Sequence, residues 1–305
     1  MSSSISICIP SFNRKEHLIE TLHRILSKVE SNTPIEEVIF IDDGYDISDR
    51  NDIVAQMQHY TKFEYYKAKD TNSFGSVFLE CFKAAKTDYV LITYDDDLFF
   101  TERIVDLQNF ISDTQNWSLA VPAWKSGSNK LLRGSMKNRH VIETKKMLRY
   151  LAHAPGILYN LGSFSDELDT LRTQLAKNCV FSQMYPQVLL GALLLDGKKI
   201  LVSLPIEIGQ DGSELTTEIK TLDGEAYFSL RARLHQYMSL IDINDHGTLT
   251  TSTLDQLRVE FLARILLEHN RSISAHAVAF YMRRRLLISY RSLKHKIKKI
   301  ISRSE

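Results

Sequence analysis

The 305-residue chain is nearly neutral and contains enough apolar residues for a large core. It has 38 Lys or Arg against 37 Asp or Glu, a net charge of +1 and a hydrophobic content of 44%. Its 12 Gly and 6 Pro argue against long disordered linkers, and the sequence has no run of about 18 apolar residues. The length suits one large α/β domain plus an appendage, or two domains. The boundaries that we predict are an α/β domain at residues 1–215 and a helical region at residues 216–305.

The cysteines and the first residues of the chain indicate a reducing compartment. Cys8, Cys81 and Cys179 are odd in number, far apart and set among apolar residues. We therefore expect buried free thiols, not disulfides or a metal site. The apolar stretch Ile5–Ile9 ends at Pro10 and is too short for a signal peptide. Together these features predict a cytoplasmic protein.

The first hundred residues alternate between predicted strands and helices, which is typical of a parallel sheet with right-handed crossovers. The predicted strands are Ile5–Ile9, Val38–Ile41, Phe63–Tyr66 and Tyr89–Tyr94, and the predicted helices are Asn13–Val29, Asp52–Tyr60 and Ser76–Lys86. Polar residues follow three of the strands, at Pro10–Asn13, Asp42–Gly44 and Asp95–Asp97. The carboxyl ends of parallel strands lie at one edge of a sheet, where α/β proteins bind ligands. We expect these segments to form one site.

Three consecutive carboxylates, Asp95–Asp97, close the apolar run Tyr89–Tyr94. Adjacent side chains of an extended strand alternate, so Asp95 and Asp97 share a side unless the chain turns there. Clustered carboxylates repel one another unless a cation or hydrogen-bond donors compensate, and Mg²⁺ or Mn²⁺ is a hard cation that does so. An acidic turn that caps the next helix is the other interpretation that this spacing leaves open.

Three segments of the chain resemble the opening motifs of family 2 glycosyltransferases. They are Ile5–Arg14, Val38–Gly44 and Tyr89–Asp97, and the resemblance extends over residues 4–110. Members of that family have the GT-A fold, a single α/β domain that binds a nucleotide sugar. The resemblance thus implies a glycosyltransferase with a nucleotide-sugar donor and a Mn²⁺ or Mg²⁺ cofactor.

The same resemblance implies roles for individual residues. Pro10 and Phe12 would flank the nucleotide base, with Phe12 offering a stacking face. Asp42 or Asp43 would accept a hydrogen bond from a ring N–H of the base, and Asp95 would lie near the ribose. The complete implied set is Pro10, Phe12, Asn13, Asp42, Asp43, Asn72 and Asp95 for the donor, and Asp96 or Asp97 for the metal that bridges the two phosphates.

The catalytic base is harder to assign. Gly162–Leu168 resembles the family's glycine–aromatic–acid turn on the acceptor side, and in inverting relatives an acidic pair beyond that turn deprotonates the acceptor hydroxyl. By alignment, that pair falls near Ser182 and Gln183, and neither is a carboxylate. Three accounts stay open. An acid of the turn region takes the role, Asp211 reaches in from a later loop, or an atypical enzyme uses Gln183 to orient the sugar without an external base. The candidates in the turn region are Asp166, Glu167 and Asp169, of which we favour Asp166.

The end of the chain is strongly basic. Residues 282–305 contain nine Lys or Arg and one acid, Glu305, and apolar residues recur at helical spacing through Ala275–Ser302. A basic amphipathic helix of this kind binds anionic membrane surfaces. A helix that packs on another domain would show the same pattern, and nucleic acid would match the same charge, but no recognised nucleic-acid module accompanies it. We expect attachment to the inner face of the plasma membrane and no nucleic-acid partner.

Together these features predict a metal-dependent glycosyltransferase that builds a bacterial surface glycan, such as O-antigen or capsule, on a polyprenyl-diphosphate-linked acceptor. A nucleotidyltransferase that makes activated sugars is one alternative, although that class has a Gly-rich basic loop after its first strand and Pro10–Asn13 is not one. A catalytically silent glycan-binding or scaffold protein is the other. Its support is the missing acidic pair near Ser182 and Gln183.

Overall fold

The computed structural model describes most of the first 211 residues and one later helix. The described ranges are 4–29, 33–70, 73–126, 131–134, 136–177, 180–211, 236–237, 239–240, 243 and 249–268. The predictions made for Asn72, Cys179 and the basic segment 282–305 lie outside these ranges. Cys8 and Cys81 are buried free thiols, as predicted.

Strands and helices alternate along the chain. The strands are β1 Ile5–Ser11, β2 Ile35–Asp42, β3 Phe63–Lys67, β4 Tyr89–Ile92, β5 Asp97–Phe99, β6 Leu119–Lys125, β7 Leu131–Arg133, β8 His140–Val141, β9 Ile157–Asn160 and β10 Leu201–Asp211. The helices are α1 Lys15–Val29, α2 Ile47–Met57, α3 Phe74–Ala84, α4 Ile104–Asp113, α5 Met147–Leu151, α6 Ser165–Ala176, α7 Val180–Met184, α8 Pro186–Asp196 and α9 Thr251–Glu268.

All ten strands of the described ranges belong to one mixed sheet, in which eight follow the order β3-β2-β1-β4-β9-β6-β10-β5. The first four are parallel, as the strand–helix alternation predicts. β9 runs antiparallel to both β4 and β6, whereas β6 and β10 are parallel to each other. The carboxyl ends of β1, β2, β4, β6 and β10 therefore lie at one edge of the sheet, together with the start of β9. We call this the ligand edge.

Helices cover both faces of the sheet because its strands alternate their side chains between two cores. In β1, Ile7 and Ile9 pack in one core with Leu18 and Leu22 of α1, while Cys8 packs in the other. The second core also receives α3, α6 and α8. A sheet buried on both faces explains the near-continuous apolar strands of the sequence.

Several element boundaries differ from the sequence prediction for local reasons. α1 begins at Lys15, because Asn13 adopts a left-handed backbone with φ of 50°. α2 begins earlier than expected, because the side chain of Asp46 accepts a hydrogen bond from the backbone N–H of Asp49 and caps it. β4 ends at Ile92, and the acids that follow lie in a turn.

The late helix α9 packs on the sheet domain. Leu254, Leu257 and Phe261 on its apolar face are buried in the same core as α8. Glu260 accepts a hydrogen bond from the backbone N–H of Leu148 at 3.0 Å. No helix within the described part of the chain is long and apolar enough to span a bilayer.

Candidate active site

The acids after β4 form a tight turn at the ligand edge. The backbone N–H of Asp97 lies 3.4 Å from the carbonyl oxygen of Tyr94, which closes the turn. Helix α1 holds it from below: the hydroxyl of Thr21 donates to the carbonyl of Asp95 at 2.8 Å, and Arg24 donates to the carbonyl of Asp97 at 2.6 Å. Because the chain turns here, the simple alternation of a strand does not apply, and each carboxylate has its own surroundings.

Asp95 and Asp96 are already paired. The carboxylate of Asp95 is 4% exposed and accepts a hydrogen bond from the hydroxyl of Ser11. The guanidinium of Arg14 contacts Asp96 at 2.5 Å and Asp95 at 3.3 Å. Burial raises the pKa of Asp95, while the bonds from Ser11 and Arg14 oppose that rise. These contacts fix Asp95 at the base of the ligand edge, where the family resemblance places the ribose.

Asp97 has one open carboxylate oxygen. The side chain is 6% exposed, and its Oδ2 has no hydrogen-bond partner within the described residues. Burial raises its pKa well above the ordinary value, and the charges of Asp96, Asp211 and Asp95 raise it further. An unpaired buried carboxylate oxygen is costly without a cation. This oxygen is therefore well suited to a divalent metal.

Asp211, at the end of β10, supplies a second oxygen donor beside Asp97. The two residues are direct neighbours across the antiparallel β5–β10 pair. The described residues contain no group of three or more His, Cys, Asp and Glu side chains arranged to hold a metal. Two carboxylates nevertheless suit Mg²⁺ or Mn²⁺, because such ions complete their coordination with substrate phosphates and water. Asp97 and Asp211 thus fit a metal that is bound together with a diphosphate.

The nucleotide side of the edge has an exposed aromatic ring. Phe12 is 55% exposed, and its ring lies over Gly44, whose φ of +109° excludes most side chains. Asn13 follows it in the left-handed turn that leads into α1. Pro10, in contrast, is buried inside β1 and pairs with Ile41. Of the pair predicted to flank the base, the structure presents Phe12 at the surface and not Pro10.

Asp42 and Asp43 have different surroundings. Asp42 is fully buried, and its oxygens accept hydrogen bonds from Tyr65 at 2.9 Å and from the backbone N–H groups of Gly44 and Tyr45 at 2.9 and 2.8 Å. Asp43 has a buried Oδ1 with no partner within the described residues. Burial raises its pKa to about 7, helped by the charges of Asp42 and Asp70. Asp43 is therefore the acid with an oxygen free to accept a bond from a ligand, while Asp42 shapes the turn.

A group that sequence reasoning largely missed surrounds Asp211. The indole N–H of Trp124 donates to its Oδ1 at 2.8 Å, and Nε2 of His153 lies 3.2 Å from the same oxygen. Arg133 is fully buried, lies over the Trp124 ring and donates to the carbonyl of His153 at 2.5 Å. Burial raises the pKa of Asp211, but the bonds from His153 and Trp124 outweigh it and lower the pKa. No sequence motif links these residues, which come from β6, β7, β10 and a loop.

Helix α7 brings Gln183 to the ligand edge. A Cβ added to Gly75, at the start of α3, would lie 2.8 Å from the carbonyl oxygen of Ser182 and 3.1 Å from Cα of Gln183. The start of α3 follows β3 and lies at the ligand edge, so Gln183 lies there too. Ser182 is buried. The position that the family resemblance aligns with an acidic pair is thus occupied by a buried hydroxyl and an amide.

The structure does not bring Asp166 or Glu167 to this site. β9 ends at Asn160, which pairs with Tyr89 at the start of β4, so α6 begins at the edge opposite the acid turn. Glu167 lies beside Gly197 at the far end of α8, and Asp166 is exposed. Their proton-acceptor role stays a prediction, and this placement does not support it. The direction of β9, which decides the placement, cannot be read from its sequence.

Comparisons with known proteins agree with this geometry. The family model described as glycosyl transferase family 2 matches residues 6–168, just over half of the chain. The chain therefore belongs to glycosyl transferase family 2, has the GT-A fold and is a glycosyltransferase. The matched region includes the acid turn, Phe12 and Asp43. A search of curated proteins found no match.

Solved structures share the fold at low sequence identity. S. aureus TarS (residues 1–349) in complex with UDP-GlcNAc is 16% identical, with a TM-score of 0.59 over 92% of this chain and 79% of that one. The mannosyltransferase PcManGT from Pyrobaculum calidifontis, in complex with GDP-Man and Mn²⁺, is 11% identical, with a TM-score of 0.51 over 96% and 83%. A mycobacterial protein is 12% identical, with a TM-score of 0.50 over 78% and 74%.

Proposed function

We propose that this glycosyltransferase is metal-dependent and transfers a sugar from a nucleotide-sugar donor to a lipid-linked bacterial surface glycan, such as O-antigen or capsule. The observation that carries the metal dependence is the unpaired, buried Oδ2 of Asp97 beside Asp211. The Mn²⁺ and nucleotide sugar named for PcManGT support the same reading.

The donor would bind along the ligand edge from Phe12 to Asp97. Phe12 stacks on the base because its ring is exposed, and Asp43 accepts a hydrogen bond from it because its buried Oδ1 has no partner within the described residues. Asp95, fixed by Ser11, meets the ribose. Asp97, with Asp211 beside it, would hold the metal. When bound, the metal offsets the charge of the diphosphate and stabilises the nucleoside diphosphate as the leaving group.

The acceptor hydroxyl has to react without a carboxylate at the position of Ser182 and Gln183. Gln183 lies at the ligand edge and has an amide that donates and accepts hydrogen bonds, so it orients a sugar without taking a proton. This arrangement fits the atypical mechanism better than a base at Asp166, which lies at the opposite edge.

The acceptor class is inferred from charge. Nine Lys or Arg in residues 282–305 would attract an anionic bilayer, where a polyprenyl-diphosphate-linked glycan is held. Each basic residue near such a surface is worth about 1 kcal/mol. Changing Arg283, Arg284 and Arg285 together to Gln should therefore weaken sedimentation with vesicles containing 30% phosphatidylglycerol by roughly 100-fold.

A matched control removes three lysines from the sheet domain. Changing Lys28, Lys145 and Lys146 to Gln alters the net charge equally but leaves the basic segment intact. This control should sediment like the wild type. Equal loss in both triple variants would show a general charge effect and would contradict the membrane assignment.

The transfer reaction itself is tested with a panel of nucleotide sugars. The wild type should hydrolyse or transfer one of them in the presence of Mn²⁺ and stop in EDTA, and product NMR would then give the linkage. Asp106→Asn, an exposed acid paired with Arg103 at 2.9 Å, should behave like the wild type, whereas Asp97→Asn should lose at least 100-fold in rate. Full activity in EDTA would contradict metal dependence.

A further inference from the structure

The guanidinium of Arg14 neutralises two of the three carboxylates of the acid turn. Its Nη1 lies 2.5 Å from Oδ2 of Asp96 and 3.3 Å from Oδ1 of Asp95. The arginine side chain is 29% exposed, so it faces the ligand edge and is not locked inside the protein. Asp97, by contrast, keeps an open oxygen. The turn thus has one built-in cation and one vacant carboxylate oxygen.

The backbone of Arg14 is held by a hydrogen bond, and its side chain is partly exposed. The backbone N–H donates to the hydroxyl of Tyr45 at 2.8 Å, and that hydroxyl shares a hydrogen bond with Ser11 at 2.7 Å. Ser11 donates in turn to Asp95. These hydrogen bonds fix the backbone of Arg14 in the loop between β1 and α1, beside the acid turn.

A metal ion beside Asp97 would change the balance of charge on this turn. Two cations in one cluster repel each other, and a divalent ion gains from Asp96 if Arg14 leaves it. A nucleotide diphosphate brings new negative charge to the same edge. Guanidinium groups bind phosphate oxygens through two parallel hydrogen bonds, which makes the diphosphate a good alternative partner.

We propose that Arg14 is a donor-binding residue with two positions. It neutralises Asp95 and Asp96 while the donor site is empty, and it moves to the diphosphate when a divalent metal ion and the donor bind. The inference rests on the proposed function, since it takes a nucleoside diphosphate as the ligand. In the empty site, Arg14 then competes with the metal ion for Asp96. In the loaded site, Arg14 and the metal ion both bind the diphosphate.

The two roles predict opposite effects of removing the Arg14 charge: tighter binding of Mn²⁺ alone and weaker binding of the nucleotide. A purely structural ion pair predicts no such pair of opposite effects. We would measure Mn²⁺ binding to the nucleotide-free protein by electron paramagnetic resonance, and binding of UDP and GDP at saturating Mn²⁺ by calorimetry. Arg14→Gln should bind Mn²⁺ alone at least fivefold more tightly, because Asp96 is released. It should bind the preferred nucleotide at least tenfold more weakly, because the diphosphate loses a partner.

Lys15 provides the matched control. It is the next cation in the chain, and its ammonium contacts Asp49 at 2.9 Å and Asp52 at 2.6 Å, away from the acid turn. Lys15→Gln should leave both binding constants within twofold of the wild type. Arg14→Lys keeps the charge but loses the paired geometry, so its Mn²⁺ affinity should stay within twofold while its nucleotide affinity falls at least threefold.

Each outcome is decisive. Unchanged or weaker Mn²⁺ binding in folded Arg14→Gln would overturn the inference and leave a fixed ion pair. If that variant does not fold, wild-type nucleotide affinity in Arg14→Lys would overturn it instead. A wild-type protein that binds neither Mn²⁺ nor UDP or GDP would contradict the proposed function. Binding of both with no effect of Arg14 would contradict only this inference.

Discussion

Replacing Asp97 by Asn should stabilise the metal-free protein while abolishing metal binding. In the folded chain Asp97 is buried, its Oδ2 has no partner, and its pKa is raised well above the ordinary 3.8, first by burial and then by neighbouring acids. The folded chain therefore keeps a proton that the unfolded chain releases, and stability falls as pH rises above about 4. Asparagine removes this dependence.

The expected gain follows from the cost of leaving a buried hydrogen-bond acceptor unsatisfied, about 1–3 kcal/mol. We expect Asp97→Asn to raise the free energy of unfolding by that amount at pH 8 in EDTA, and by less at pH 5. Urea unfolding at both pH values measures the difference. Asp106→Asn, an exposed acid with 40% of its side chain accessible, should change it by less than about 0.5 kcal/mol.

Metal completes the test. With Mn²⁺ and a nucleoside diphosphate at 100 times their dissociation constant, the wild type should gain about 2.7 kcal/mol and Asp97→Asn nothing. The reasoning would be refuted if Asp97→Asn were less stable than the wild type in EDTA at pH 8. It would be refuted equally if Mn²⁺ stabilised the variant as much as the wild type.

Asp43→Asn should weaken nucleotide binding about tenfold in calorimetry. Because burial raises the pKa of Asp43 to about 7, wild-type affinity should rise between pH 6 and pH 8 as the carboxylate forms, and the Asn variant should lack that rise. Asp166→Asn should keep the transfer rate within twofold of the wild type, because α6 begins at the opposite edge of the sheet. Gln183→Ala should lower the transfer rate at least tenfold. The reverse pattern would support Asp166 as the catalytic base. Gly156→Ala should lower the free energy of unfolding by over about 2 kcal/mol in urea titrations, because φ is +68° and the new Cβ would lie 2.6 Å from a ring carbon of Trp124.

The sequence was sufficient for the parallel half of the sheet and for its ligand edge. β1, β2 and β4 are short apolar runs that end in polar residues, and a parallel sheet brings such ends together whatever the details of packing. The acid turn and Asp43 were located for that reason. The helices of this half were also predictable, because their apolar residues recur at helical spacing, as in α1.

The antiparallel half was not predictable in the same way. β9 is a four-residue strand whose direction depends on its neighbours, and that direction decides where α6 begins. The direction of β9 therefore decides at which edge of the sheet Asp166 lies. β10 likewise continues past Pro205 to Asp211 through two irregular positions. A strand that continues past a proline is set by pairing with β6 and β5, not by local propensity.

The acid turn gives different surroundings to Asp95, Asp96 and Asp97. These surroundings depend on contacts with residues far away in the sequence, which no local sequence pattern contains. Arg14 and Ser11 lie more than 80 positions from the acids they bind, and Asp211 lies 114 positions beyond Asp97. Three identical residues in a row acquire three environments: Asp95 is fixed, Asp96 is paired with a cation that faces the ligand edge, and Asp97 keeps an open oxygen. A site that binds a metal and a diphosphate together needs these three different environments. If all three acids were fully paired, the metal would have no ligand, and if all three were open, their repulsion would destabilise the empty protein.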